Sequence, residues 1–492
     1  MKTVQKVNVK MYLNYIGGEW VKSTSGELIT SLDPATQEVV AYAQKSKAED
    51  MEKAIAAARK AFETTNWSVT PVVRQTALNE YARLLAEKQE ELAQLLSREN
   101  GKTLMEARGC ISGAIDLVVY YAGAARQVYG RSASISETSY TIISREAIGV
   151  VGSIVPWNWP VILMMRDLAP ALAAGNALIV KPASYTPAIC AECIEIFSQV
   201  KSVPKGIVNF VSGSGADVGE VLTKSDDVDM IAFTGDGVTG TRIAQVAAPS
   251  HKKLSTELGG KSPNVVFEDA DLSKAIPGAI WGFLSTSGQI CMAGTRLIVQ
   301  DTIYDSVCAE LKAEIKKLKV GCGLDESCAV PPLVAEIQLK KVMKYIDIGK
   351  KDGKVLTGGY RMTGGEYDKG WFVAPTVIID LPPNSRIVQE EVFGPVLVVQ
   401  KFHTEAEAIA LANGTKYGLA GAVWTADVNR AMRVARKIKA GTVWINSYNK
   451  FYSDAEFGGY KTSGNGRTSG LQGLYEFTEL KHINFDLKPT FF

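Results

Sequence analysis

The stretch "AIGVVGSIVPWNWPVILMMRDLAPALAAGNALIVKPAS", Ala147 to Ser184, decides the fold. Ala147 to Met165 carries no charge, and an apolar run of that length is enough to cross a bilayer. Pro156, Asn158 and Pro160 interrupt its middle, however, and Arg166 follows at once. The stretch therefore reads as a buried strand "IGVVGSIV", a turn "PWNWP", a helix "VILMMRDLAPALAAG" and a second strand "ALIVKPA". Strand, helix and strand in that order are a βαβ unit, and such units build parallel sheets.

The pattern continues downstream. "ALIVKPA" is followed by the Pro187 helix, "IVNFVSGSG" by Val218 to Thr223, and "MIAFTGDG" by Thr239 to Ala248. After "LSTELGGKSPNVVF" a second alternating series runs through "TRLIVQ", "VLVVQKF", "GAVWT" and "GTVWINS". Upstream, Glu49–Glu63, Val73–Asn100 and Met105–Gly130 carry apolar residues at helical spacing, after strand-like "YLNYIGGEWV" and "EVVAYAQ". Ser132 to Val151 alternates like a hairpin and stands apart from both series. No internal repeat or low-complexity tract interrupts the chain.

Its 492 residues suggest about two to four domains and a core that needs no disulfide staple. Fifty-four basic and 52 acidic residues are spread without blocks, so neither nucleic acid nor a membrane surface is expected as a partner. Seven cysteines, an odd number with no leader before them, point to a reducing cytoplasm. Cys190 and Cys193 form a CxxC inside a helical pattern, and His251, His403 and His482 lie near no cysteine pair. No metal site is expected.

Ligands of parallel sheets bind beyond the carboxyl ends of the strands, where several suggestive side chains fall. Asn158 and Lys181 occupy two such ends. Gly235, Gly237 and Gly240 stand at a strand-to-helix turn that a phosphate could approach, while Gly213, Gly215 and Gly219 are a loose dinucleotide fingerprint. Glu257 in "ELGGKSPN" and Cys291 in "SGQIC" could supply a base and a nucleophile. Singly, each has a plainer reading: an inert buried cysteine, a surface carboxylate, a turn asparagine.

Together they resemble the aldehyde dehydrogenase superfamily. "PWNWP", "APALAAGNALIVKPAS", "FTGDGVTG", "ELGGKSPNVVFEDADL", "GQIC", "EEVFGPV", "YGLAGAVWT", "GTVWIN" and "FGGYKTSGNGR" occur in that family's order and cover nearly the whole chain. The resemblance implies an α/β fold with a Rossmann-type cofactor domain, an α/β catalytic domain and a small β oligomerisation arm. The expected boundaries are 1–130 and 149–259 for the first, 260–462 for the second, and 131–148 with 463–492 for the arm. It also implies a homodimer or homotetramer acting on a small-molecule aldehyde. Cys291 would attack the carbonyl, Asn158 and the Cys291 N–H would hold the oxyanion, and Glu257 would activate the water that hydrolyses a thioester. Trp157, Lys181, Ser184, Gly213, Gly235, Gly240, Glu391 and Phe393 would bind the cofactor, and Trp159, Arg166, Phe451 and Phe457 the substrate.

The departures from the family shape the finer expectations. Ser184 replaces the glutamate usual in NAD-selective members. A carboxylate there would repel a 2′-phosphate by about 1–4 kcal/mol, so NADP acceptance beside NAD is expected. Asp236 replaces a serine that contacts the pyrophosphate, and is expected to cap its helix and turn away. Asp167 and Thr468 replace a lysine–glutamate proton path. An aromatic aldehyde is expected first and a semialdehyde clamped by Arg166 second, with Arg166 alternatively neutralised by Asp167. Two other classes are disfavoured. An acylating enzyme generally lacks the base at Glu257, and a non-catalytic structural relative would have lost Cys291, Asn158 or Glu257.

Overall fold

The computed structural model describes residues 9–487, so both outer ends of the expected segments, 1–8 and 488–492, lie outside the described residues. The quoted stretch folds as read. Its strand Val150–Ile154 sits in the middle of a sheet with four parallel companions: Ala177–Lys181, Val208–Phe210, Met230–Thr234 and Lys253–Glu257. From Val150–Ile154 the chain adds two strands on one side, then crosses and adds two on the other. That reversal opens a crevice between the ends of Val150–Ile154 and Met230–Thr234, the usual ligand position in a doubly wound sheet. Val150–Ile154, Ala177–Lys181 and Met230–Thr234 are largely apolar and buried because both faces are covered. The hairpin Asn14–Ile16/Glu19–Val21 extends one edge, turning through Gly17 and Gly18 at positive φ. Gly464–Asn465 closes the other edge.

Helix Pro160–Ala174 starts on a proline, whose missing N–H would have had no intrahelical partner, and stops at Gly175 with φ +99°. Val161, Met164, Met165, Leu168 and Leu172 are all buried, which is why this apolar segment belongs inside a globular core. Among the described residues no helix is long and apolar enough to cross a membrane.

The second series forms a seven-stranded sheet in the order Lys354–Thr357, Thr376–Ile379, Val396–Phe402, Arg296–Gln300, Pro263–Val266, Ala420–Trp424, Thr442–Ile445. All its pairings are parallel except the first. A third, antiparallel sheet joins Arg131–Ser134 and Ser139–Ala147 to Thr478–Asp486, with Thr478 opposite Ala147 and Asp486 opposite Ser139. Tyr140, Ile142, Leu480, Ile483 and Phe485 lie exposed on it.

Three sequence expectations need correction. Val73–Asn100 is two helices, Pro71–Glu87 and Gln89–Asn100, separated at Lys88, whose ψ of 10° leaves the helical range. The helix expected over Met105–Gly130 spans Leu104–Ala124 and stops short of Gly130. The helix expected over Val218 to Thr223 spans Glu220–Lys224, preceded by a wider turn over Gly215–Gly219.

Candidate active site

Cys291 follows a strained loop. Thr286 and Ser287 both hold left-handed backbone, with φ 48° and 54°, and Gly288 continues at 72°. Such conformations persist only where the surroundings over-determine them. Here Glu106 accepts hydrogen bonds from Ser285 Oγ and the Thr286 N–H. Gln289 donates to the Thr286 carbonyl and accepts from the Val334 N–H, and Ser287 Oγ donates to the Pro331 carbonyl. A Cβ on Gly288 would meet the Gly394 carbonyl oxygen at 2.1 Å. The loop is thereby fixed between the Glu106 helix, which also lines the site, and the Pro331–Val334 segment. Cys291 keeps part of its surface open, unlike Cys110, Cys190 and Cys193.

Two cavities meet at this thiol. One, of about 520 Å³, is lined by Trp159, Ile162, Leu163, Arg166, Trp281, Ile290, Met292, Phe451, Tyr452 and Phe457 together with Asn158 and Cys291. The other, of about 430 Å³, is lined by Trp157, Lys181, Thr234, Gly235, Asp236, Glu257, Lys341, Glu391 and Phe393, again with Asn158 and Cys291. A third cavity continues from the second past Lys181, Gly215 and Thr239 to Glu220 and Arg242. Asn158 and Cys291 are thus the two residues common to an apolar, aromatic chamber and a polar cleft at the strand ends.

The sheet register explains the polar side. Ile154 pairs with Lys181 and Thr234 with Glu257, so these residues sit in one layer at the strand ends. Glu257 is 4% exposed, and neither carboxylate oxygen has a hydrogen-bond partner among the described residues. Burial pushes its carboxyl up to about 8, against the opposing pull of Arg166 and Arg467. Burial likewise pushes the Cys291 thiol up to about 12, opposed first by Arg166. Asn158, 5% exposed, donates from Nδ2 to the Gln289 carbonyl at 3.0 Å, which ties it to the cysteine loop. Glu391 accepts from the Gly260 N–H at 3.0 Å. Phe393, at φ 60°, stacks edge-on against Trp157, and Gln338 donates to the Phe393 carbonyl.

The cleft has features that suit a dinucleotide. Lys181 is buried with its ammonium on the Pro182 carbonyl and no carboxylate partner among the described residues, and desolvation lowers it to about 8. Gly235 leaves no room for a side chain, since a Cβ would stand 2.4 Å from the Phe233 ring. Three expected positions behave differently. Gly213 faces Val218 and the Ser46 carbonyl, and Gly215 lines the cleft in its place. Gly240 is buried against Leu258, where it lets helix Gly237–Ala247 approach the sheet. Ser184 is exposed, with a long 3.4 Å bond from Oγ to the Gly213 carbonyl. Asp236 does cap its helix, accepting from the Val238 and Thr239 N–H groups at 3.0 Å.

Trp159, Arg166, Phe451 and Phe457 all line the aromatic chamber. Arg166 and Asp167 make no direct ion pair among the described residues, although the Arg166 charge opposes the burial-driven rise of the Asp167 carboxyl. Adjacent residues point to different sides of a helix, and Asp167 accepts from Ser153 Oγ while Arg166 donates to Thr234 Oγ1. Thr234, Gln338 and Lys341 were not singled out from the sequence. Thr234 lies one residue before the quoted glycine turn, but Gln338 and Lys341 sit on a helix with no motif to mark them.

A model of the aldehyde dehydrogenase family matches residues 20–483. A betaine aldehyde dehydrogenase of Bacillus subtilis is 42% identical over 479 residues, 96% of this chain and 97% of that protein. An aldehyde dehydrogenase of Emericella nidulans is 39% identical over 97% of this chain and 96% of its own. The crystal structure of a betaine aldehyde dehydrogenase from Staphylococcus aureus in complex with NAD+ superposes with a TM-score of 0.96 at 39% identity, covering 97% of this chain and 96% of that one.

Proposed function

The chain belongs to the aldehyde dehydrogenase family, and we propose that it oxidises an aldehyde with an aromatic body to the carboxylic acid through Cys291, using NAD and accepting NADP. The observation that carries this reading is the meeting of an aromatic chamber and a polar cleft at Cys291 and Asn158. Cys291 Sγ, once deprotonated, adds to the aldehyde carbon and gives a thiohemiacetal. The amide of Asn158 is neutral and can donate to the developing oxyanion, which a carboxylate there would repel. A dinucleotide held in the cleft would supply the hydride acceptor needed for the thiohemiacetal on Cys291 to become a thioester. Glu257 then takes a proton from water, which attacks the thioester and frees Cys291. Glu257 suits that work because its oxygens are committed to no protein donor.

Lys181, Gly235, Glu391, Phe393 and Trp157 would hold the dinucleotide, with Gly215 nearer to it than Gly213 and Gly240 acting through helix packing. NADP acceptance rests on the neutral Ser184 and on the uncompensated ammonium of Lys181. The antiparallel sheet with its exposed apolar side chains supports an arm that joins chains into a homodimer or homotetramer, apart from a cofactor domain and a catalytic domain built on the other two large sheets. Seven unpaired thiols suit a reducing cytoplasm.

The relatives from Bacillus and Staphylococcus act on betaine aldehyde by name, and five aromatic rings in the chamber would suit a quaternary ammonium. Against that, Arg166 and Lys450 line the same chamber, and the carboxylate of Glu106 is already shared among Thr103, Ser285 and Thr286. The alternative of a semialdehyde whose carboxylate meets Arg166 keeps that residue as a clamp. Initial rates with benzaldehyde, betaine aldehyde and succinic semialdehyde, each with NAD and NADP, separate the three. The reading expects the highest kcat/KM with benzaldehyde; faster turnover of either charged aldehyde would overturn it.

A further inference from the structure

Arg166 is 3% exposed and yet has no carboxylate partner among the described residues. Its Nη2 donates to Thr234 Oγ1 at 2.9 Å, and its buried Nε meets no acceptor. Such a charge is costly to bury unless something opposite in sign compensates it. The uncommitted acceptors in its surroundings are the two oxygens of Glu257, whose strand pairs Glu257 directly with Thr234. Arg166 lines the aromatic chamber with Cys291, while Thr234 and Glu257 line the polar cleft with Cys291. The Arg166–Thr234 pair therefore spans the wall between the two cavities, beside the thiol.

We propose that Arg166 is a positioning residue whose charge is directed inward, favouring the anionic forms of Glu257 and Cys291, and that it is not a clamp for a substrate carboxylate. This rests on the roles given above to Cys291 and Glu257. The other groups facing this pair are already engaged. Arg467 gives Nη1 to the Gly459 and Gly466 carbonyls. Asp167 is held by Ser153 and pushed up to about 6 by burial, which makes it a weak competitor for the guanidinium. Glu391 is tied to the Gly260 N–H, and the Tyr121 hydroxyl donates to the Gly470 carbonyl. Phe457 presents its ring 5.9 Å from the guanidinium. Burial raises Cys291, Glu257 and Asp167, and Arg166 is the foremost group opposing that rise at each; of the three, only Glu257 keeps both oxygens without a donor and only Cys291 opens to both cavities.

The test uses Arg166→Met, Arg166→Lys and Thr234→Val in the full chain. Alkylation of Cys291 by iodoacetamide, followed by peptide mass spectrometry across pH, reads the thiol without needing turnover. The pH profile of kcat reads Glu257. Arg166→Met should slow alkylation near neutrality by about tenfold and move the rising limb of kcat about one unit alkaline. Arg166→Lys should recover most of both, and Thr234→Val should shift both part-way, which preserves the test if the methionine variant folds poorly. Unchanged alkylation curves in Arg166→Met and Thr234→Val would overturn the proposal. So would a rise in KM confined to succinic semialdehyde, which would make Arg166 a clamp. Failure of the underlying roles shows separately, as aldehyde oxidation surviving in Cys291→Ala.

Discussion

Glu257 concentrates the residue-scale chemistry. Its carboxyl, raised by burial to about 8, carries a proton through most of the neutral range and loses it only as pH rises. As a base it is competent when ionised, so kcat should climb between about pH 7 and pH 9, and Glu257→Gln should flatten that limb while lowering kcat by roughly 10²–10⁴-fold. The same shift sets the sign of its effect on stability. Below about pH 4.5 both folded and unfolded forms hold the proton. Between there and about pH 8 the folded form holds more, so stability falls as pH rises through this window. Relative to wild type, Glu257→Gln should therefore gain thermal stability from pH 5 to pH 8, as followed by calorimetry. A gain that is flat with pH would mean the carboxyl titrates normally. Little of this was legible in the letters. "ELGG" marks Glu257 as a member of a pattern, but the absence of a donor on either oxygen follows from how two sheets close over it.

At the scale of elements, helix Gly237–Ala247 shows one residue serving two competing ends. Asp236 satisfies the first N–H groups of the helix and also bonds Thr239 Oγ1, so the helix begins well. The same carboxylate lines the cleft at the place where a phosphate would gain from a helix N-terminus. Asp236→Ser keeps a capping oxygen and removes the charge. It should lower the KM for NAD about two- to fivefold with little change in melting temperature, in line with about 0.3–1 kcal/mol for a charge at a helix end. An unchanged KM would mean the pyrophosphate does not approach this turn. The cap was predictable from "FTGDGVTG", because an aspartate before a helix has one dominant local use. Gly213 and Gly240 were less so. A glycine in a turn motif and a glycine demanded by packing look identical in sequence, and only the Cβ clashes with Val218 and Leu258 tell them apart.

Across the whole molecule, both parallel series were readable from alternating strands and helices, since buried parallel strands must be apolar along their length. Lys354–Thr357 and Thr376–Ile379 escaped that reading because they are only four residues each, the first an antiparallel, bulged edge strand and the second lying just inside it. What no periodicity could show is that the two sheets bring Asn158, Glu257 and Cys291, from three distant segments, around one wall. Gln338 and Lys341 enter the cleft from a helix of the second series for the same reason. On the function proposed above, this wall makes and breaks an acyl bond on Cys291. The most direct test mixes Glu257→Gln with NAD and whichever aldehyde wild type turns over fastest, quenches in acid, and maps adducts by mass spectrometry. The account predicts a stoichiometric burst of NADH and one acyl group on the peptide bearing Cys291, both absent without NAD. A burst with the acyl group elsewhere, or steady turnover with no acyl-enzyme and an unmodified Cys291, would contradict it.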